Sequence, residues 1–286
     1  EYFENARITT TIHKLLTKQK NYQGLHEMWM PDSYVGTATN NNSGFALRTL
    51  YLNPIANMWK FSCSIPLSSI FNFCNDYDKV LYGLQHKISL VRTNNTRAMI
   101  RNAAAVDAVG QFPALTASAA DARVTLTKLR WAMPYIIPNL TQQAKLLQII
   151  NEKIYGELAF LNKKSDSIQV LPATTFTWKL QLTNGIERPR YLVLGFQTAR
   201  GVDQTTNSAT FDTAGLNVIN GYVLLNGCKY PLTDMSTDLA TNAYSKWYLN
   251  YVDFFNKYHG VKNNEACLNY IDFIKCYPLY IFDAAI

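Results

Sequence analysis

Hydrophobic positions in this chain fall at strand spacing more often than at helical spacing, and one stretch dominates. Glu187-Arg-Pro-Arg-Tyr-Leu-Val-Leu-Gly-Phe-Gln-Thr198 carries Tyr191, Leu192, Val193, Leu194 and Phe196 as an almost unbroken apolar run. Such a run is a strand buried on both faces or a short buried helix. Pro189 before it, Gly195 inside it and the polar exit at Thr198 favour the strand. In a chain with few helical patterns, a doubly covered strand predicts two stacked sheets.

Shorter alternations flank this run. Residues 1–44 are poorly patterned: Ile8 to Leu16 alternates briefly, and Asn40-Asn-Asn-Ser-Gly44 is a loop by composition. Phe45 to Leu52 and Asn57 to Ile65 read as strands, the second with Trp59, Phe61, Cys63 and Ile65 on one face. Pro66 predicts one helical turn over Leu67 to Phe73, and Asp76-Tyr-Asp78 a turn. Lys79 to Arg92 reads as a further strand with a bulge at Gly83. Arg123 to Met133 and Thr174 to Leu182 continue the pattern. Asn217 to Leu225 ends at Asn226-Gly227, a strong hairpin signal.

Two helices stand out. In Thr141 to Ile154, the residues Ala144, Leu147, Ile150 and Ile154 share a face. Thr241 to Tyr258 bears an aromatic stripe of Tyr244, Trp247, Tyr248, Tyr251, Phe255 and Tyr258, with Gly260 placed to stop it. Cys276 to Phe282 predicts a last strand. The small-residue tract Thr93 to Asp121 reads as a long connection between two β units.

Composition agrees with an all-β chain carrying a few short helices. The 18 Tyr and 14 Phe suit pleated surfaces. Charged residues are only 16%, and a weakly charged surface points to coverage by other subunits. The net charge of +7 raises contact with nucleic acid, yet the basic residues are dispersed. Their densest cluster, Lys14, Lys18 and Lys20, reads as a solvated face. The five cysteines form no CxxC pair and read as buried thiols of a reducing compartment. The start of the chain carries no apolar leader and no 18-residue apolar run occurs, so neither secretion nor a membrane span is expected. The sequons at Asn41, Asn94 and Asn139 read as chance matches on that ground.

Chemistry is nearly silent. His13, His26, His86 and His259 stand apart from one another, and no nucleophile elbow, phosphate loop or HExxH motif occurs. Asp76 and Asp78 fit a capped turn better than a carboxylate pair, and Gln197 to Asp203 an exposed loop better than a ligand site. No residue is assigned as catalytic, cofactor-binding or metal-ligating, no cofactor is expected, and the chain does not read as an enzyme.

Four blocks together carry a resemblance. Phe61-x-Cys-x-Ile-Pro-Leu-Ser-Ser-Ile-Phe71 leads to Asn75-Asp-Tyr-Asp-Lys-Val-Leu-Tyr-Gly83, His86 and Ile88-Ser-Leu-Val-Arg92. Val124-Thr-Leu-Thr-Lys-Leu-Arg-Trp-Ala-Met-Pro134 is the second. Arg188 to Thr198 with Phe211-Asp212 is the third, and Tyr277-Pro-Leu-Tyr-Ile-Phe-Asp283 the fourth. In this order they resemble the major capsid-like proteins of Polinton/Maverick-type elements and adintovirus-like viruses, from about Trp59 to Asp283.

That resemblance implies a double jelly roll, two antiparallel β-sandwiches in one subunit. Residues 1–92 would be the C-terminal portion of the first roll, 93–122 the connecting loop and 123–286 the second roll. With few strands before residue 93 and none after the last, both rolls are expected to be incomplete. The function implied is a structural major capsid protein: a homotrimeric, pseudo-hexameric capsomer of an icosahedral shell, viral or derived from an endogenous virus. Its partners would be neighbouring capsomers, a separate penton protein and, weakly and non-specifically, packaged DNA. Its place would be the virion capsid, assembled inside the cell. The alternative reading is a carbohydrate- or receptor-binding β-sandwich, because exposed rings and amides suit sugars.

Overall fold

The computed structural model describes residues 6–31, 47, 53–55, 58–91, 125–153, 158–168, 175–180, 189–197, 211, 217–238, 240–261 and 265–284. The strand expected at Phe45 to Leu52, apart from Leu47, and the connection Thr93 to Asp121 lie outside them. Among the described residues the strands form three two-stranded antiparallel sheets, and two stacked sandwiches are not seen.

The dominant apolar run is a strand, β3 (Tyr191–Gly195), paired with β6 (Leu279–Asp283) so that Val193 lies opposite Ile281. The expected burial belongs to its partner. β3 is half-buried along its length, whereas Leu279 to Phe282 of β6 are buried. The reason lies on the two edges of β6. Toward β3, the Ala284 N–H donates to the Arg190 carbonyl at 2.8 Å. Backbone groups alternate along a strand, so the Leu279 and Ile281 carbonyls face the opposite edge. There Trp247 Nε1 donates to the Leu279 carbonyl at 2.7 Å and Asn250 Nδ2 to that of Ile281 at 2.6 Å. Side chains of a helix thus close the edge where another strand would otherwise add.

That helix is α6 (Ser245–His259), the aromatic-striped element. Gly260 follows it at φ 63°, a left-handed stop that costs glycine little. Trp247, Tyr251, Phe254 and Phe255 are buried; the Trp247 ring stacks on Tyr280 at 4.6 Å and meets Phe273 edge-on at 5.1 Å. Phe273 belongs to α7 (Tyr270–Cys276), so only the last part of the predicted terminal strand is strand. Asn269 caps α7 by accepting the Asp272 N–H.

The start of the chain is helical, not strand-like. α1 (Ala6–Thr17) sends Leu15 and Leu16 into the same core. Ile8, Ile12, Leu15 and Leu16 are spaced four, three and one apart, a helical face that reads locally as alternation. A second short helix, α2 (Tyr22–His26), follows. The turn after Pro66 forms as α3 (Leu67–Ile70) and α4 (Asn72–Asp76), so Asp76 closes a helix. α5 (Leu140–Asn151) opens on Asn139, whose side chain accepts the Gln142 N–H at 2.8 Å in a reciprocal capping box. The Asn139 sequon is therefore occupied by helix capping.

Other strand expectations shrink. β1 (Asn53–Ile55) and β2 (Met58–Lys60) form a hairpin, but residues 61–65, 79–91, 125–133 and 175–180 carry no ladder. In the last of these the alternation survives as burial: Trp178 and Leu180 are half-buried between exposed Thr177 and Lys179. The hairpin at Asn226-Gly227 forms as expected, joining β4 (Val223–Leu225) to β5 (Cys228–Tyr230) with both turn residues at positive φ.

Gly195 is where β3 meets the third block's other half. A Cβ there would lie 2.6 Å from two atoms of the Phe211 ring, which is buried, and 3.1 Å from Leu279. Phe211 is itself pinned by its N–H on the Cys276 carbonyl at 2.7 Å. Gly195→Ala is expected to cost about 1–3 kcal/mol by overpacking, read as a lowered thermal midpoint. An unchanged midpoint would mean that Phe211 moves away freely.

Candidate functional site

Two kinds of feature qualify as sites: a buried polar cluster beneath α1, and an exposed apolar surface elsewhere. The cluster is built by α1, α2 and the segment 64–76. Lys14 Nζ pairs with the Glu27 carboxylate at 2.6 Å, both side chains largely buried. Glu27 also accepts from Ser69 Oγ at 3.4 Å, and its carbonyl accepts the Ser64 N–H at 3.2 Å. Lys18 donates to Asn75 Oδ1 at 3.1 Å, and the Asn75 amide reaches Asp76 and the Tyr258 hydroxyl of α6. Asp76 Oδ2 in turn accepts the Leu161 N–H at 2.8 Å. Lys20 pairs with Glu265 in the open. Lys14 and Lys18 of the basic cluster are therefore not a solvated face, each being committed to a partner outside α1, whereas Lys20 is exposed as expected. Lys18 lies below the usual lysine range because its ammonium is desolvated.

His13 is the one buried histidine among those described. Burial, then the nearby Lys163 and Lys18 charges, lower its pKa to about 3, against small opposing effects from the Ser68 backbone and Asp76. A folded value below the unfolded 6.5 means that the unfolded chain takes up the proton first. Stability from neutral His13 is thus complete above about pH 6.5 and is lost as pH falls toward 3. The thermal midpoint is expected to fall through this window, and His13→Asn to make that slope shallower. An identical slope in the variant would remove His13 as its source.

Neither the cluster nor the remaining histidines assemble a reaction centre. His26 and His86 are exposed, and His259 packs on Phe255 at 4.5 Å between ring centroids. Among the described residues no three His, Cys, Asp or Glu side chains converge as metal ligands. A cleft bounded by Arg7, Ile8, Thr11, Gln197 and Phe211 has a volume of about 10 Å³, room for one water. Of the cysteines, Cys276 is buried and Cys267 partly so, while Cys63, Cys74 and Cys228 are exposed, contrary to the expectation of buried thiols. Burial pushes the Cys267 thiol up to about 11, which keeps it protonated and unreactive at neutral pH.

The exposed apolar surface is larger. Leu126, Leu129, Trp131, Met133, Tyr135, Ile136 and Ile137 are all exposed in one stretch that runs into α5. Tyr135 is 88% exposed, Ile137 84% and Leu140 84%. Leu147, Ile149 and Ile150 of α5 are exposed as well, so among the described residues the amphipathic helix read from sequence has no partner for its apolar face. Runs of this size mark interaction surfaces. The sequence signal is present as the second block, Val124 to Pro134, but its periodicity points to a strand. No helix among the described residues is long and apolar enough to cross a membrane.

The comparisons with known proteins bear on the whole chain. No curated protein and no solved structure matches it. A family model, that of the double jelly roll-like domain, matches residues 38–286 and so takes in all four sequence blocks together with α3 to α7. The chain belongs to the double jelly roll-like domain family.

Proposed function

We propose that the protein is a structural capsid subunit that acts through its surfaces and not by catalysis. The observation that carries this is the family assignment across residues 38–286, since this domain is typical of viral capsid proteins. The exposed apolar stretch from Leu126 to Leu140 supports it, because assembly interfaces bury such surface. So does a charged fraction of only 16%. In this reading the subunit forms a homotrimer of pseudo-hexameric outline, and trimers tile a shell beside a separate penton protein. The resemblance of the four blocks to the capsid-like proteins of Polinton/Maverick-type elements and adintovirus-like viruses supports a member of that lineage. Packaged DNA makes at most weak electrostatic contact with it.

Multi-angle light scattering over a wide concentration range, with negative-stain imaging of the largest species, tests the reading. Trimers with a six-cornered outline are expected. A strictly monomeric species at every concentration would overturn it. Tyr135→Glu together with Ile137→Glu is expected to shift the trimer toward monomer while leaving the thermal midpoint nearly unchanged, since both side chains are exposed in the single chain.

A further inference from the structure

We propose that residues 6–31 are an acid-sensitive clasp, a helical ligand of the family domain that ties its 64–76 segment to the C-terminal α6–β6 unit. The family model begins at residue 38, so the segment lies outside the matched domain. It is nevertheless seated on it at every turn. Leu15 and Leu16 are buried in the core formed by α6, α7 and β6, with Ile8 and Ile12 packed against it. The Tyr251 hydroxyl donates to the Leu15 carbonyl at 2.9 Å, satisfying one of the last-turn carbonyls of α1, and accepts the Leu268 N–H at 3.2 Å. Gln19 forms an isolated antiparallel bridge with Ala266.

The opposite side of the segment holds residues 64–76. Glu27 takes the Ser64 N–H and Ser69 Oγ, Lys18 takes Asn75, and the Trp29 ring lies 5.5 Å from that of Phe61. One short segment therefore contacts both ends of the matched domain. A 12-residue helix is marginal alone in water, so α1 owes its order to this groove, as peptide helices do in hydrophobic grooves.

His13 sits at the seam between these two sides. It is buried, its Nε2 3.4 Å from Thr17 Oγ on its own helix, and is faced by Lys18 of its own segment, by Asp76 and the Ser68 backbone of the 64–76 segment, and by Lys163. The nearby Lys14 is already neutralised by Glu27. A proton on His13 adds a third positive charge beside Lys18 and Lys163, with Asp76 facing it as the counter-charge. Docking is therefore weaker where an undocked histidine would be protonated.

The test keeps the full chain and inserts a protease site between Asp32 and Phe45, leaving an uncut sample as the folding control. After cleavage at pH 7.5, the N-terminal fragment is expected to co-elute with the remainder on size exclusion. Leu16→Asp is expected to release it. At pH 5 the fragment's affinity is expected to fall roughly tenfold or more, and His13→Asn to abolish most of that fall. A wild-type fragment that separates at pH 7.5 would overturn the clasp. Equal retention at both pH values would overturn its acid sensitivity. Should the insertion disturb folding, Gln19→Cys with Ala266→Cys offers a second route in the uncut chain. These bridged positions suit a disulfide. The oxidised form is expected to resist trypsin cleavage after Lys18 and Lys20 at pH 5, and reduction to restore cutting. Equal cutting of both forms would count against the proposal.

Discussion

Trp247→Ala is expected to cost about 3–5 kcal/mol of stability, the range for truncating a large aromatic in a packed core. The ring is 1% exposed and is held from three sides: stacked on Tyr280, edge-on to Phe273, and donating to the Leu279 carbonyl. Removing it opens a cavity at the junction of α6, α7 and β6. It also leaves a buried carbonyl on β6 without its donor, a loss of about 1–3 kcal/mol in its own right. Trp247→Phe separates the two effects, because it keeps most of the ring and loses the N–H. Urea denaturation followed by far-ultraviolet circular dichroism reads both. A loss below about 1.5 kcal/mol for the alanine variant would place the ring outside the range for core aromatics and contradict its position in the core.

Lys14→Met is expected to cost about 3–5 kcal/mol, because it strands the Glu27 carboxylate in a buried site. The pair is close, at 2.6 Å, and its two side chains are 13% and 5% exposed. Exposed ion pairs contribute at most about 1 kcal/mol, so the size of the loss distinguishes the two environments. Lys14→Met combined with Glu27→Leu removes both charges, and most of the lost stability is expected to return. The coupling energy of this double-mutant cycle is the measurement. Coupling near zero would mean that water reaches the pair, and the packing of α1 against Glu27 would then rest on its other contacts.

Much of the local structure is legible in the sequence. The Asn226-Gly227 hairpin, the Gly260 stop, the aromatic stripe of α6, the helix at Leu140 and the turn after Pro66 were all read correctly. Each depends on residues within a few positions of one another: backbone conformation at a glycine, a cap, or a repeat along one face. Misreadings arose where short alternation had two meanings. Ile8 to Leu16 reads locally as alternation and over its full length as a helical face, and the burial of both Leu15 and Leu16 in the core agrees with the helix that forms. Lys79 to Arg92 has strand composition, yet among the described residues no ladder partner lies beside residues 79–91. Strand formation needs a second segment, which periodicity cannot supply.

The dominant apolar run illustrates both sides. The sequence by itself reads the run from Tyr191 to Phe196 as a strand, and its four blocks lie within the stretch that the double jelly roll-like domain model matches. Only the tertiary structure decided that the deeper strand is its partner, Leu279 to Asp283, because Trp247 and Asn250 cover that partner's far edge. Tertiary structure likewise turned Lys14 into half of a buried ion pair with Glu27 and Lys18 into a joint to Asn75, far along the chain. Hydrophobic pattern and capping are properties of neighbours along the chain. Burial and the pairing of charges depend on which distant residue lies opposite, and only folding settles that.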